Sequence, residues 1–588
     1  AVQLNLRGAG TKVFALSNLT ASAKSETLRH ADLTVQVVSR PAWYAVLALP
    51  YLMEYPHECC EQTFSRYYAN ALGSFIANAD PRIRKTFESW EKAGAEALVS
   101  PLETNGDLKQ IALDSTPWLR EATHESAARR RIGKLFNPEN LKAEQARALS
   151  KLDLAQDQTG LWPWFPGGPS SPSISLYILT GFARLNHLAG LEPPLCFAKG
   201  VKALDLYVRN DVKRRQDFGA FHITYSDVRW LYLHTFKVTP KGDDATRDFL
   251  IKHLIAEWID LGLESQAFGA IVLNRMGQTD TAKKILASIK ERAVLSEEMG
   301  MYWKRPYFFS CSLFAAPVST QAAVIEAFLD VTQDTESVDA CRVWMLKQKQ
   351  TQNWSTTAST ADAVYAILQG GGTDLLAGDT TATVTLGGTA VPVVNAEAGT
   401  GFYRHRYAPE AIKPEMGTIT FANTDPRGVA WGGVHWTYLE DVLKVQPFEP
   451  KELKIEKRYY RKLHTPEGTR LAPIEGVLEP GDELVARLSV TCDRVLEYVH
   501  IQDERPSCAE PEDVLSRYRW QDGIGYYQST RDTATHYYID RLPKGKFVLE
   551  TSFRVQQRGT FVGGLAAIQC MYAPEFTAHS TAETVKVK

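Results

Sequence analysis

The stretch Tyr55-Pro-His-Glu-Cys-Cys-Glu-Gln62 decides how the chain is read. Immediately after it Phe64, Tyr67, Tyr68, Ala71, Leu72, Phe75 and Ile76 recur at helical spacing. Residues 63–78 are therefore expected to form an amphipathic helix with Cys59 and Gln62 at its mouth. A thiol and a carboxamide three residues apart can meet there in a tight turn. That geometry permits an internal thioester, in which the Cys59 sulfur displaces ammonia from the Gln62 side chain. A nucleophile attacking the Gln62 carbonyl becomes covalently attached, and the Cys59 thiolate leaves into the positive end of a helix. The competing reading makes Cys59 and Cys60 buried small hydrophobes, or a redox-sensitive pair, beside an ordinary helix.

At 588 residues, with 44% hydrophobic and 23% charged residues, the chain has the composition of an ordinary globular protein of several domains. A net charge of -2 gives no electrostatic reason to expect nucleic acid or an anionic membrane as partner. No apolar run reaches the roughly 18 residues needed to span a bilayer. The opening Ala1-Val-Gln-Leu-Asn-Leu6 lacks a signal-peptide pattern and reads as cut from something longer, so a C-terminal piece is expected. Eight cysteines, with only Cys59 and Cys60 close together, form neither a dense disulfide framework nor a zinc ligand set.

Outward from the motif, Leu33, Val35 and Val37 alternate on one face, so residues 1–40 read as strands of a β-domain completed elsewhere. Pro41 to Leu52 is an apolar lead into the motif. From residue 63 to about 370 helical periods follow one another, with Asp80-Pro81 and Thr116-Pro117 as N-cap and first-turn pairs. Segments Asn140 to Gln156, Ser173 to Leu188, Asp244 to Trp258, Glu264 to Met276, Thr320 to Thr332 and Thr360 to Gln369 are expected helices. Their number and regularity suggest paired helices in an α/α toroid or solenoid. Gly370-Gly371-Gly372 marks a boundary, after which alternation takes over near Thr381, Gly417 and Val429. A break at 445–450 precedes a last β-rich block with strands expected near 482–491, 496–502, 546–556 and 561–571. The fold class is thus multidomain α and β, with a helical domain flanked by β-sandwiches.

Pro56, Cys59, Glu61 and Gln62 resemble the P-x-G-C-x-E-Q signature of the alpha-2-macroglobulin and complement thioester proteins, and the following T-F-S-R-Y-Y-A-N resembles the bacterial branch. The string W-S-T-T-A-S-T-A-D-A-V-Y-A-I-L from Trp354 is similar to the closing helix of the thioester domain. After residue 478, E-P-G-D-E-L-V, L-E-Y-V-H, R-L-P-K-G and M-Y-A-P-E-F are similar to the bacterial C-terminal domain. The resemblance implies a CUB-type β-domain at 1–40 and 373–447, an α/α toroid thioester domain at 41–372 inserted in it, and a C-terminal macroglobulin-like sandwich at 448–588. It implies a broad-spectrum endopeptidase inhibitor rather than an enzyme, used once, with the bait segment elsewhere and no cofactor or metal. Target endopeptidases are its implied covalent partners. A penicillin-binding protein, a periplasmic or cell-envelope location, and membrane attachment through an N-terminal anchor outside this chain are also implied. Two other classes fit the residues: a thioester adhesin, and a carbohydrate-active α/α-toroid enzyme with a carboxylate pair in its cleft.

An unprotected thioester hydrolyses in water, so the family implies a shield. Carried onto this sequence, the shielding positions are Tyr55, Met571 and Tyr572, whose competing reading is plain core packing. The family's histidine-assisted branch carries a His in a loop matching residues 160–172, which here reads G-L-W-P-W-F-P-G-G-P-S-S-P without one. Amines, chiefly lysine side chains, are therefore the preferred nucleophiles. His57 is read as a packed or exposed ring, with assistance as a base the competing reading. His187, His222, His234 and His253 are read as structural, none paired by sequence with Asp or Ser. Two positions depart from the family pattern: Glu58 replaces the usual Gly, and Cys60 could form a vicinal disulfide with Cys59 or accept the acyl group. The run Arg129-Arg130-Arg131 reads as a solvated helix face, and Trp162 to Pro166 as a rigid packed loop or a sugar-stacking surface.

Overall fold

The computed structural model describes residues 1–93, 118, 135–219, 221–304, 316–351, 354 and 356–588. Thr116-Pro117, Arg129-Arg130-Arg131 and Cys311 lie outside the described residues. The chain opens with strands β1 (Val2–Arg7), β2 (Gly10–Ala15) and β3 (Arg29–Val38), with the short helix α1 (Ser17–Ala21) between the last two. Leu33, Val35 and Val37 of β3 are fully buried, as alternation on one face requires.

Helices follow: α2 (Trp43–Met53), α3 (Cys60–Ala79), α4 (Pro81–Ala93), α5 (Pro138–Ala155), α6 (Pro172–Ala189), α7 (Leu195–Asp217), α8 (Tyr225–Leu233), α9 (Asp244–Glu257), α10 (Leu263–Arg275) and α11 (Thr279–Glu291). A hairpin of β4 (Val294–Ser296) and β5 (Gly300–Tyr302) precedes α12 (Pro317–Ala327), α13 (Thr335–Thr351), α14 (Thr357–Leu368) and α15 (Asp374–Ala377). Their starts are written in cap chemistry. Asn137 accepts from the Glu139 and Asn140 N–H groups with Pro138 at the first helical position, and Ser171 does the same service for α6 ahead of Pro172. Thr224 and Asp227 close a capping box on α8.

Contacts between helices close a ring. The inner members α3, α6, α8, α10, α12 and α14 each pack on the next, and α14 returns to α3. Outside them α5 packs on α3, α7 on α6, α9 on α8, α11 on α10, α13 on α12 and α2 on α14. This is an α/α toroid.

Beyond it come β6 (Thr383–Leu386), β7 (Thr389–Ala390), β8 (Tyr403–Tyr407), β9 (Thr418–Asn423) and β10 (Val429–Leu439). They complete the sandwich begun by the first strands: one sheet has the order β1-β10-β3-β8, the other β2-β9-β6-β7. β10 lies between β1 and β3, with Val434 opposite Val2 on one side and Val35 on the other.

The C-terminal block is a second sandwich. Its strands are β11 (Leu453–Thr465), β12 (Gly468–Pro473), β13 (Glu483–Cys492), β14 (Leu496–Glu504), β15 (Ala509–Pro511), β16 (Arg517–Gln521), β17 (Ile524–Thr530), β18 (Ala534–Leu542), β19 (Gly545–Val555), β20 (Gly559–Val562), β21 (Ala566–Cys570), β22 (Thr577–His579) and β23 (Thr584–Val587). One sheet runs β12-β11-β13-β19-β15 and the other β16-β17-β18-β14-β21-β22.

Three sequence expectations are corrected. The helix expected at 63–78 begins at Cys60, because Cys59 itself is the N-cap and the motif forms the first turn. The apolar lead at 41–52 is the helix α2, whose internal Pro50 is tolerated without breaking it. The strand expected at 561–571 divides into β20 and β21, because Gly564 adopts a left-handed φ of 66° between them.

Candidate functional site

Cys59 has extended backbone angles and stands as N-cap of α3, with Gln62 at the third helical position. The two close a capping box: the Gln62 N–H faces the Cys59 side chain, and Gln62 Oε1 accepts from the Cys59 N–H at 3.3 Å. Each side chain is thus held against the other residue's backbone by the rules that start a helix, which places the sulfur and the carboxamide in the same turn. The N–H on Oε1 also draws electron density from the acyl carbon, the atom a nucleophile would attack. Burial raises the Cys59 thiol pKa, opposed by the backbone N–H groups of Gln62 and Glu61. Cys60 is buried in the toroid core and burial pushes its thiol up to about 11. All seven described cysteines are buried and unbridged.

The first turn is held from three sides. From the loop before α6, the Trp164 carbonyl accepts the Cys60 N–H at 2.9 Å. Trp162 of that loop is fully buried and donates its indole N–H to the Leu152 carbonyl at 2.8 Å, while Phe165 is exposed. From within α3, Ser65 donates to Glu61 Oε1 at 2.8 Å. From α14, Thr357 Oγ1 donates to both Glu61 oxygens at 2.8 and 2.9 Å. Glu61 is only 2% exposed, and its pKa is raised, with burial the largest cause.

Ahead of the mouth, the Tyr55 ring meets Tyr51 and the exposed His57 edge-on at 5.2 and 5.7 Å. Its carbonyl accepts from Arg66 Nη2 at 2.6 Å. Glu58 is exposed and pairs with Lys151 of α5 and, at 3.4 Å, with Arg66. It thereby ties the loop before Cys59 to two helices.

Sequence reasoning missed the polar axis of the toroid. Arg184 of α6 bonds Glu326 of α12 at 3.2 Å, Asp362 of α14 at 2.8 Å and the Tyr232 hydroxyl of α8 at 3.1 Å. Glu264 of α10 accepts from Tyr225 at 2.8 Å and Thr320 at 3.2 Å, with Arg229 as its nearby cation. With Glu61, every inner helix contributes a charge to this axis. The only signal in the sequence was charged residues on the apolar faces of helices, which reads as ordinary amphipathicity.

His234 pairs with Asp205 at 2.8 Å, and His222 and His253 share Glu257 at 3.2 and 2.5 Å. Neighbouring helices bring these partners together, which sequence distance concealed. His187 packs on Phe236.

Met571 and Tyr572 lie after β21, in a cluster of their own. Met571 is fully buried with Trp118 and Tyr538, and Tyr572 meets Tyr498 edge-on at 4.9 Å. Trp118 donates its indole N–H to Asp540 at 2.7 Å. The structure therefore brings Cys59, Glu61 and Gln62 together with Tyr55 just ahead, and gathers Met571 and Tyr572 around Trp118.

Residues 453–575, nearly all of the second sandwich, match the family model of the bacterial alpha-2-macroglobulin MG10 domain. Over these residues the C-terminal sandwich is similar to that MG10 domain. To that extent the chain is bacterial alpha-2-macroglobulin-like. No curated protein matches the chain in sequence. Similar solved structures include native alpha-2-macroglobulin from Escherichia coli spanning domain MG7 to the C-terminus, at 13% identity and a TM-score of 0.38, over 100% of this chain and 82% of that one. Salmonella alpha-2-macroglobulin reacted with methylamine is similar at 15% identity and a TM-score of 0.36, over 100% of this chain and 33% of that one. Trypsin-activated Escherichia coli alpha-2-macroglobulin gives 13% identity and a TM-score of 0.46, over 100% and 36%. The chain thus spans about a third of those two longer chains.

The MG10-like domain meets the toroid through charge. Arg494, just after β13, grips Glu298 of the β4–β5 turn with both terminal nitrogens, at 2.6 and 3.2 Å. Burial raises the Glu298 pKa, but Arg494 outweighs it and the carboxyl ends below its usual range. Beside them Lys347 of α13 lies over Trp431 of β10, and burial lowers its pKa to about 8. Among the described residues, no helix is long and apolar enough to cross a membrane.

Proposed function

We propose that Cys59 and Gln62 form an internal thioester and that the chain is the reactive part of a bacterial peptidase-trapping inhibitor. The capping box carries this reading, because it holds in one turn the Cys59 sulfur and the Gln62 carboxamide that must acylate it. The MG10-like domain supports the family to which such chemistry belongs. In forming the bond, the Cys59 sulfur adds to the Gln62 acyl carbon, ammonia departs, and the thiol proton leaves with it. A lysine amine then attacks the same carbon. The C–N bond forms, the C–S bond breaks, and the sulfur takes up the proton.

Glu61 fixes the first turn against α14, Tyr55 stands just ahead of the bond, and Met571 and Tyr572, gathered around Trp118, are assigned the rest of its shield on family resemblance. Amines are preferred, since His57 is exposed against Tyr55 and the 160–172 loop offers backbone and aromatic groups rather than a base. Endopeptidases are the partners, the cell envelope is the location, and a penicillin-binding protein is a further partner in it. Domain limits at 40, 372 and 447 belong to the same proposal.

Intact mass and free-thiol count, before and after methylamine, test the reading with Cys59→Ala as control. The chain should be one ammonia lighter than its sequence, gain methylamine on Gln62 and release one thiol. An unmodified Gln62 in peptide maps, with no methylamine taken up, would sink it. Thioester transfer to cell-surface amines without prior peptidase cleavage would favour an adhesin instead.

A further inference from the structure

Where the chain leaves the first sandwich for the toroid, guanidinium groups from three separate segments surround one small cavity. Arg40 lies between β3 and α2, Arg342 on α13, and Arg427 in the turn between β9 and β10. With Ser39, Asp339 and Asp425 they line a space of about 30 Å³. A single water needs roughly 10–15 Å³ by this measure, so a head group of a few heavy atoms fits and a larger ligand does not.

Each arginine is oriented through nitrogens other than those left for a ligand. Arg40 Nη1 donates to the Gly378 carbonyl. Arg342 donates to Asp339 Oδ1 at 3.0 Å and to the Gln369 carbonyl. Arg427 Nη1 stands 3.8 Å from Asp374. The Nε atoms of Arg40 and Arg342 are both buried without a hydrogen-bond partner. Asp425 is committed to its own turn, its Oδ1 accepting from the Arg427 and Gly428 N–H groups at 3.0 and 2.9 Å. Burial lowers the pKa of Arg40 and of Arg342, so their surroundings do not fully balance the charge they carry.

We propose that this cavity binds a tetrahedral oxyanion of the phosphate and sulfate class, which bridges the first sandwich to the toroid. Asp339 and Asp425 in the lining, with Asp374 beside Arg427 and Asp379 acting on Arg40, offset the three cations, so the unpartnered buried Nε–H donors of Arg40 and Arg342 carry the assignment, and planar guanidinium donors suit oxyanions better than spherical halides. The anion would join the segment entering the toroid, a turn of the sandwich and an outer helix. This is independent of the chemistry at Cys59.

Titration calorimetry with inorganic phosphate at constant ionic strength in chloride tests it, on the intact chain, Arg427→Gln and Arg40→Gln. Saturable binding of one phosphate is expected, with acetate clearly weaker. Arg427→Gln should weaken binding about tenfold, the loss of one charge-assisted hydrogen bond, and Arg40→Gln at least as much. Arg427 is half exposed, so its variant keeps the test alive if Arg40→Gln fails to fold. No saturable heat at millimolar phosphate, or equal affinity in wild type and Arg427→Gln, would overturn the proposal. Acetate binding as tightly as phosphate would overturn the tetrahedral assignment.

Discussion

Thr357, the first residue of α14, donates its hydroxyl to both carboxylate oxygens of Glu61, the second residue of α3. This contact seals the toroid where its last inner helix meets its first, directly beneath Cys59. Thr357→Ala leaves a buried carboxylate with Ser65 as its remaining hydroxyl donor, and should cost roughly 1–3 kcal/mol. Thr357→Ser should restore most of it. Denaturant unfolding measures the cost, and methylamine uptake should fall in parallel as the first turn loosens.

Cys59→Ser separates folding from chemistry. Serine is a better N-cap than cysteine, so the capping box should persist and stability should stay within about 1 kcal/mol of wild type. Methylamine uptake should vanish. A large loss of stability would mean that the covalent bond, rather than the cap, starts α3.

The MG10-like domain holds a histidine pair, buried His500 and half-buried His536, with Nε2 to Nδ1 at 3.0 Å. Burial lowers their pKa values from 6.5 to about 3 and about 4. Both are neutral when folded, while the unfolded chain takes up protons as pH falls below 6.5. Their contribution is thus complete above pH 6.5 and lost on acidification toward pH 4. His536→Gln should flatten the fall in stability between those values by on the order of 2–3 kcal/mol. Unfolding midpoints across that pH range give the comparison.

Glu298→Ala strands Arg494 at the junction of toroid and MG10-like domain, leaving it Asp493 at 2.7 Å. Removing one member of a desolvated, forked pair should weaken docking by about 2–5 kcal/mol. Limited proteolysis should then cut faster between residues 439 and 453, with the two parts unfolding at separate temperatures in calorimetry.

What could be read in advance was local. Cys59 and Gln62 stand at the spacing of a capping box, and Leu33, Val35 and Val37 announce a strand by alternation alone. Thr357 and Glu61 are 296 positions apart, so no local pattern joins them, even though both sit in recognisable strings. The axial charges were hidden for another reason. Arg184, Glu264 and Glu326 lie on helices buried almost all round, where a charge signals an opposite charge across the ring rather than solvent. Pro50 concealed α2, and Trp164 serves the site through its carbonyl, which side-chain chemistry does not reveal.

Because β10 is the shared neighbour of β1 and β3, the first sandwich cannot close when its opening strands are made. Roughly 390 residues separate the end of β3 from β10, and at ribosomal rates of about 5–20 residues per second that is a wait of roughly 20–80 s. For that time two apolar strands stand without their middle partner while the toroid folds as a closed loop behind them. The nascent chain therefore has a long window of vulnerability to misplaced strand pairing, and a chaperone that holds the first forty residues should raise its yield more than one that acts after release.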